Sequence, residues 1–153
     1  AGHARSGISG LSATCSGVSS FPWSAITASG STPAARSSHT SVLYNGDQMI
    51  IFGGDAGDPV NDTYSFDLSS NAWTQITTSG STPAARHDHT AVLYNGHQMV
   101  IFGGYHRGYL NDVHSLDLSS NTWTQLTPDY YGSFSLLYDH SAVLSNAPAM
   151  VDA

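Results

Sequence analysis

Two short stretches contain the residues with the strongest chemical character. The first is His87-Asp88-His89, in which two imidazoles flank a carboxylate. Because alternate residues of a strand share a face, both imidazoles could reach one metal ion. Two ligands without an evident third make a weak site, and His89 has counterparts in His39 and His140. We therefore predict no metal and no cofactor.

The second stretch is a loop that combines aromatic rings with hydrogen-bond donors. Its candidate binding residues are Tyr105, His106, Arg107 and Tyr109. Aromatic platforms and cationic donors of this kind suit carboxylates or sugar hydroxyls. A solvated loop is the alternative interpretation, although loops on rigid scaffolds often carry function.

A repeat of fifty residues supplies the elements that position both stretches. The unit runs from Trp23 to Ala72 and begins again at Trp73, and 32 of its 50 positions recur identically. Trp123 starts the same pattern a third time. A period of about 50 residues is typical of the blades of a β-propeller.

Four strand signals occur in each unit. The segments His39–Tyr44 and Gln48–Phe52 are apolar and rich in β-branched residues, and Asn45-Gly46 between them suits a type I′ hairpin. The segment Thr63–Leu68 alternates as a half-buried strand, and a turn leads from it to the outer strand at Trp73. Four antiparallel strands in this length make one blade of an all-β fold.

Three features mark each blade: paired glycines after an apolar strand, an aromatic or similar residue in the third strand, and a tryptophan in the fourth. They are Gly53, Gly54, Tyr64 and Trp73, then Gly103, Gly104, His114 and Trp123. The glycines indicate close backbone packing or positive φ. Residues 23–127 resemble the kelch repeat. This resemblance implies a β-propeller, with protein recognition as its commonest use.

The repeats divide the chain into four segments. Residues 1–22 form an arm or partial outer strands, 23–77 an outer strand and the first complete blade, 78–127 the second complete blade, and 128–153 a partial third blade. Tyr138–Leu144 aligns with His87–Leu93 and predicts the innermost strand of that third blade. The chain therefore holds about three blade equivalents, whereas propellers close with four to eight.

Three interpretations of this incomplete array stand side by side. The chain is part of a longer propeller, or two copies complete a six-bladed ring, or head-to-tail complementation builds a filament. Each of them covers strand edges and apolar faces that an isolated array would expose.

The two copies differ mainly in two places, which we expect at one end of the blades. Of eighteen differing positions, eight lie in residues 55–60 against 105–110 and in residues 37–38 against 87–88. The loop after the second strand and the start of the first strand share one end of an up-and-down blade. The candidate recognition surface contains Arg36, Asp55, Asp58, Arg86, His87, Asp88, Tyr105, His106, Arg107 and Tyr109.

For two pairs of these candidate residues, the arginines and the carboxylates, a structural role is the alternative to ligand binding. Arg36 and Arg86 recur within an identical TPAAR context, and repeated positions usually serve packing, so a buried ion pair with Asp62 or Asp112 is the alternative to binding. The carboxylates Asp55 and Asp58 have no carboxylate counterparts in the second copy, which indicates a solvated acidic turn rather than a catalytic pair. No nucleophile, acid pair or metal triad is evident, and we predict no enzyme activity.

Composition narrows the classes of partner. The chain has no lysine and a formal net charge of -7, which argues against nucleic acid and an anionic membrane surface. No apolar run is long enough for a membrane span. Charged residues make up only 10% of the chain, which favours an extracellular location, and Asn61 begins an N-glycosylation triplet. Cys15 is the single cysteine, so an intrachain disulfide is excluded.

We expect a non-catalytic module for protein recognition or assembly outside the cell. Its partner is another protein or further copies of itself, with a glycan as a further candidate. Two alternative functions remain: a structural subunit of a homo-oligomeric ring or filament, and the propeller part of a secreted carbohydrate-binding or carbohydrate-active protein.

Overall fold

A computed structural model describes residues 24–127, which form two copies of one β-sheet unit without any helix in that range. We call each sheet a blade. Trp23, His140 and the predicted segments 1–22 and 128–153 lie outside the described residues.

Each blade contains five strands. In the first blade they are β1 (Ser29–Gly30), β2 (Thr40–Tyr44), β3 (Gln48–Phe52), β4 (Thr63–Asp67) and β5 (Ala72–Ile76). In the second blade they are β6 (Ser79–Gly80), β7 (Thr90–Tyr94), β8 (Gln98–Phe102), β9 (Val113–Asp117) and β10 (Thr122–Leu126). The spatial orders are β1-β5-β4-β3-β2 and β6-β10-β9-β8-β7. The four antiparallel strands predicted for each blade are therefore confirmed.

The fifth strand of each blade is an addition that the sequence pattern did not predict. β1 pairs in parallel with β5, and β6 pairs in parallel with β10. The close approach requires glycine, because a Cβ atom at Gly30 would lie 2.2 Å from the carbonyl oxygen of Trp73. This short strand covers part of the outer edge of its blade, which is otherwise open to pairing.

Residues 24–27 do not form the outermost strand that we expected from their similarity to the residues after Trp73. An outer strand needs the third strand of its own blade beside it. Within residues 24–127 no element supplies that partner for a preceding blade.

The turns between the inner strands have the backbone conformation predicted for their Asn-Gly pairs. Asn45 and Gly46 have φ values of 52° and 83°, and Asn95 and Gly96 have 51° and 73°. Positive φ at both central residues is the requirement of a type I′ turn. In the register of β2 on β3, however, Tyr44 lies opposite Gln48, so three residues separate the paired strands, where a two-residue hairpin was expected.

The core lies between the two blades. It contains Val42, Ile50 and Phe52 from the first blade and Met99, Ile101, Leu116, Leu118 and Trp123 from the second. The rings of Phe52 and Trp123 are 4.9 Å apart, and only 1% of Trp123 is exposed. Each blade thus buries its apolar face against its neighbour, as repeat units do.

The paired glycines allow the backbones of the two blades to meet. The amide of Gly54, whose φ is 99°, donates to the carbonyl of Arg86 at 2.8 Å. A Cβ atom at Gly54 would lie 2.7 Å from the carbonyl oxygen of Ser37, and one at Gly53 would lie 2.8 Å from that of Arg86. Close backbone packing and positive φ therefore both apply at this pair.

We predict that Gly54→Ala lowers the free energy of unfolding by more than Gly57→Ala. Both positions have positive φ, which costs about 1 to 2 kcal/mol for a residue with a Cβ atom. Only Gly54 adds a steric conflict, because nothing lies within 4 Å of a Cβ atom at Gly57. Urea denaturation of both variants measures the difference, and equal losses would contradict the account.

Candidate functional site

The variable residues of the two copies lie together at one end of the blades. Ser37 and Asp55 exchange two backbone hydrogen bonds, each of 2.9 Å. His87 and Tyr105 do the same in the second blade, at 3.2 and 2.8 Å. The start of each innermost strand is therefore joined to the loop that follows the second strand.

The two loops have the same backbone and different side chains. In the second blade the amide of Leu110 donates to Gly104 at 2.8 Å, and in the first blade Val60 donates to Gly54 at 3.0 Å. Within each loop a single antiparallel β-bridge joins equivalent residues: Asp55 and Pro59 in the first blade, and Tyr105 and Tyr109 in the second. A constant scaffold thus presents two different sets of side chains.

A pocket of about 510 Å³ opens between the blades at this end. Its lining residues are Asp58 and Pro59 from the first blade and His87, Tyr105, His106 and Arg107 from the second. Pro59 was not among the predicted candidates. The sequence could have indicated Pro59, because it lies in the variable loop and its equivalent in the second copy is Tyr109.

The rings of His87 and Tyr105 line this pocket, and the ring of Tyr109 packs beside Tyr105. The ring of Tyr105 lies 5.5 Å from that of His87 and 5.4 Å from that of Tyr109. Tyr105 is 36% exposed and Tyr109 is 45% exposed. The packed rings are accessible to a ligand while they support one another.

The polar groups of the pocket offer both donors and an acceptor. Arg107 forms no ion pair with any residue in 24–127, and Asp58 lines the same pocket from the first blade. His106 has a buried Nδ1 atom without a hydrogen-bond partner among the same residues. Asp55 instead stabilises its own loop, because its carboxylate accepts from the amide of Gly57 at 2.9 Å.

The carboxylate of Asp88 orients His87. The Nδ1 atom of His87 lies 2.6 Å from an oxygen of Asp88, so the opposite edge of the imidazole is left to the pocket. Burial raises the pKa of Asp88, but hydrogen bonds from Ser38 and His87 outweigh it and hold that pKa below its usual range. Ser38 was not predicted to contribute.

His87 and His89 do not share a face. Asp88 has a φ of 55°, which interrupts the extended chain between them. His89 turns into the contact between the blades, where its Nε2 atom lies 2.7 Å from the hydroxyl of Thr40. Within residues 24–127 no three histidine, cysteine or acidic side chains are grouped so as to hold a metal ion.

Arg36 and Arg86 do not belong to the exposed recognition surface. The guanidinium of Arg86 is fully buried and binds both carboxylate oxygens of Asp112, at 2.6 and 2.9 Å. Arg36 binds Asp62 in the same bidentate way, and its side chain is 4% exposed. Both arginines also donate to the first glycine carbonyl of the pair, at 3.0 and 2.9 Å. The ion-pair alternative is therefore confirmed.

The second ion pair has an additional member, His114, where the first blade has Tyr64. Its Nε2 atom lies 2.9 Å from the carboxylate of Asp112, and its Nδ1 atom lies 3.1 Å from the carbonyl of Ser81. Burial raises the pKa of Asp112, but Arg86 and then His114 outweigh it and lower that pKa to about 2.

Asn61 lies between the blades. Its side-chain amide donates to the carbonyl of Pro83 at 3.2 Å, and the residue is exposed. Glycosylation at this residue stays a prediction.

The two sheets have the arrangement of adjacent blades in a β-propeller, and a protein-family model also identifies such blades in the sequence. The model of the KLHDC2/KLHL20/DRC7 Kelch-repeats domain matches residues 11–151. The chain belongs to the kelch-repeat family. A search of curated proteins found no match. Kelch-repeat domains are generally protein-interaction modules without catalytic activity. In residues 24–127 of this kelch chain no helix is long and apolar enough to cross a membrane.

We predict that Arg86→Gln lowers the free energy of unfolding by about 3 kcal/mol, because it leaves the Asp112 carboxylate without its main partner. Arg107→Gln is the matched control and should change stability little, since Arg107 is exposed. Urea denaturation of both variants checks this. A loss for Arg107→Gln as large as that for Arg86→Gln would contradict the division between structural and surface arginines.

Acid should weaken the contact between the blades through His89. Burial first, and the nearby Arg86 charge second, lower the pKa of His89 from 6.5 to about 3. Between these values the unfolded chain binds a proton that the folded chain does not. Stability therefore falls as the pH decreases from about 6.5 toward 3, by up to about 1.4 kcal/mol per pH unit from this group.

The variant His89→Phe should remove this contribution while it retains packing on Phe52. We expect its stability to depend less steeply on pH between about 6 and 4 than that of the unaltered chain. Denaturation at a series of pH values measures both slopes, and equal slopes would show that His89 does not titrate as proposed.

Proposed function

We propose that this kelch chain is a non-catalytic recognition module that binds another protein through the pocket between its blades. The recognition pocket is defined by Asp58, Pro59, His87, Tyr105, His106 and Arg107. Two blades with matching loop backbones differ most in the side chains that surround this pocket.

The chemistry of the pocket supports a protein ligand. Exposed tyrosine and arginine side chains contribute most of the binding energy at many protein interfaces. Tyr105 and Arg107 provide both types, and the hydrogen bonds of the loop hold them in place. A preorganised loop loses little conformational entropy on binding.

The polar groups favour a peptide segment that presents both an acceptor and a donor. The guanidinium of Arg107 suits acceptor or anionic groups of the ligand, whereas the carboxylate of Asp58 suits a donor. An extended peptide carries carbonyl and amide groups along its whole length. It therefore meets both requirements.

The low content of charged residues supports an extracellular location for this module. An intact-mass measurement on the chain purified from its natural source tests this further, because a glycan on Asn61 requires passage through the secretory pathway of a eukaryote. Detection of the chain in the cytoplasm alone would contradict the proposal.

A selection from a phage-displayed library of random peptides tests the recognition pocket. The matched control is a loop-swap variant, in which residues 105–109 are replaced by the sequence of residues 55–59. Because both loops make the same backbone hydrogen bonds, the variant should keep the thermal stability of the parent. We expect selected peptides to bind the parent at least about tenfold more tightly than the loop-swap variant.

Peptides that bind both proteins equally, or the absence of any enriched peptide, would contradict this function. A glycan array with the same two proteins distinguishes the carbohydrate alternative. Glycan binding that the loop-swap variant loses would assign the pocket to a sugar in place of a peptide.

A further inference from the structure

The hydrogen bond between His87 and Asp88 determines which nitrogen of His87 carries the proton. The Nδ1 atom of His87 lies 2.6 Å from a carboxylate oxygen of Asp88. Although burial raises it, hydrogen bonds from Ser38 and His87 keep the pKa of Asp88 below its usual range, so this carboxylate is ionised at neutral pH. An ionised carboxylate only accepts hydrogen bonds, and the proton of the neutral imidazole therefore lies on Nδ1.

The other nitrogen of the ring, Nε2, is then a hydrogen-bond acceptor. His87 lines the recognition pocket, and its side chain is 21% exposed. Because the Nδ1 edge is turned to Asp88, the Nε2 edge is the one available to a ligand. The neutral side chain thus offers the pocket a lone pair rather than an N–H group.

The surrounding structure holds the ring of His87 in this orientation. The ring of Tyr105 packs 5.5 Å from it, and the backbones of the two residues exchange two hydrogen bonds. The amide of Asp88 also donates to the carbonyl of Ser38 in the first blade at 3.1 Å. The first blade has Ser37 and Ser38 at the equivalent positions, so the second copy alone carries this imidazole and its carboxylate.

We propose that Nε2 of His87 accepts a hydrogen bond from a donor group of the bound ligand, and that Asp88 is the positioning residue that fixes the required tautomer. This inference rests on the proposed function and adds to it a residue that determines specificity. Because Arg107 and Asp58 contribute opposite charges to the same pocket, we assign the donor to an uncharged group, the backbone amide of an extended peptide.

This role makes ligand binding sensitive to pH. The titratable side chains that face His87 within residues 24–127 are Asp58, Asp88, His89, Tyr105, His106 and Arg107. Protonation of His87 would turn Nε2 from an acceptor into a donor and place a second cation in the pocket beside Arg107. The ligand would lose its hydrogen bond, so binding should weaken as the pH falls.

The affinity of a peptide selected from the phage library, measured by fluorescence anisotropy between about pH 8 and 5, tests the role of His87. We expect the affinity of the parent to fall on acidification by at most about tenfold per pH unit. His87→Gln should bind more weakly at the upper end of this range and lose the pH dependence. Circular dichroism restricts the comparison to pH values at which each protein is folded.

Two other histidines provide the controls. His97→Gln should bind like the parent at every pH, because His97 lies at a hairpin turn, where its Nδ1 atom is 2.9 Å from the carbonyl oxygen of Asn95. His106→Gln should retain the pH dependence even if it changes the affinity. An affinity that is independent of pH, that rises on acidification, or that loses its pH dependence in His106→Gln would overturn the inference.

The variant Asp88→Asn tests the positioning role. Removal of the carboxylate removes a charge that favours the protonated imidazole, so the midpoint of the pH dependence should move to lower pH. The affinity at the upper end of the range should also fall, because an amide can accept or donate and no longer selects one tautomer. An unchanged midpoint would show that Asp88 does not act through His87.

A measurement on the ligand-free chain separates this inference from the proposed function. Long-range nitrogen–proton correlation spectra distinguish the two neutral tautomers of a histidine, and we expect the proton of His87 on Nδ1. A proton on Nε2 would overturn the inference whether or not a ligand is found. A peptide that prefers the parent to the loop-swap variant without any pH dependence would also overturn it while the proposed function stands, whereas the absence of any enriched peptide would defeat the proposed function itself.

Discussion

The contact between neighbouring blades holds the two sheets together and sets the position of the pocket. A blade has two apolar faces and cannot bury either by itself. Phe52 and Trp123 meet across the contact, and the backbone at Gly54 approaches closely enough to bind the carbonyl of Arg86. Because these contacts fix the two blades relative to one another, they also fix the distance between Asp58 and the loop that carries Arg107.

The repeat separates structural residues from variable ones. Arg36 and Arg86 occur in both copies and tie the start of the innermost strand to the paired glycines and to an aspartate. Tyr105 and Arg107 occur in one copy only and lie on a loop whose backbone matches that of the first blade. Side chains can therefore change at the recognition pocket without loss of the interactions that hold the blade.

Much of the fold could be predicted from the sequence because its signals are local. The strand periodicity and Asn45-Gly46 specify the antiparallel strands and their turn without reference to the rest of the chain. The short strand at Ser29–Gly30 has too few residues for a period and could not be predicted in this way. The candidate site was predicted in part: the two variable segments do meet, but the positive φ of Asp88 separates His87 from His89. The place of Asp58 in the pocket depends on the packing of two blades, which no local pattern specifies.

In the proposed function, the constant scaffold binds its partner only at the variable end of the blades. Nuclear magnetic resonance titration of the isotope-labelled chain with a selected peptide measures where the peptide binds. We expect chemical-shift changes concentrated in residues 55–60, 87–88 and 105–110. Changes concentrated instead at the hairpin turns Asn45-Gly46 and Asn95-Gly96 would contradict it.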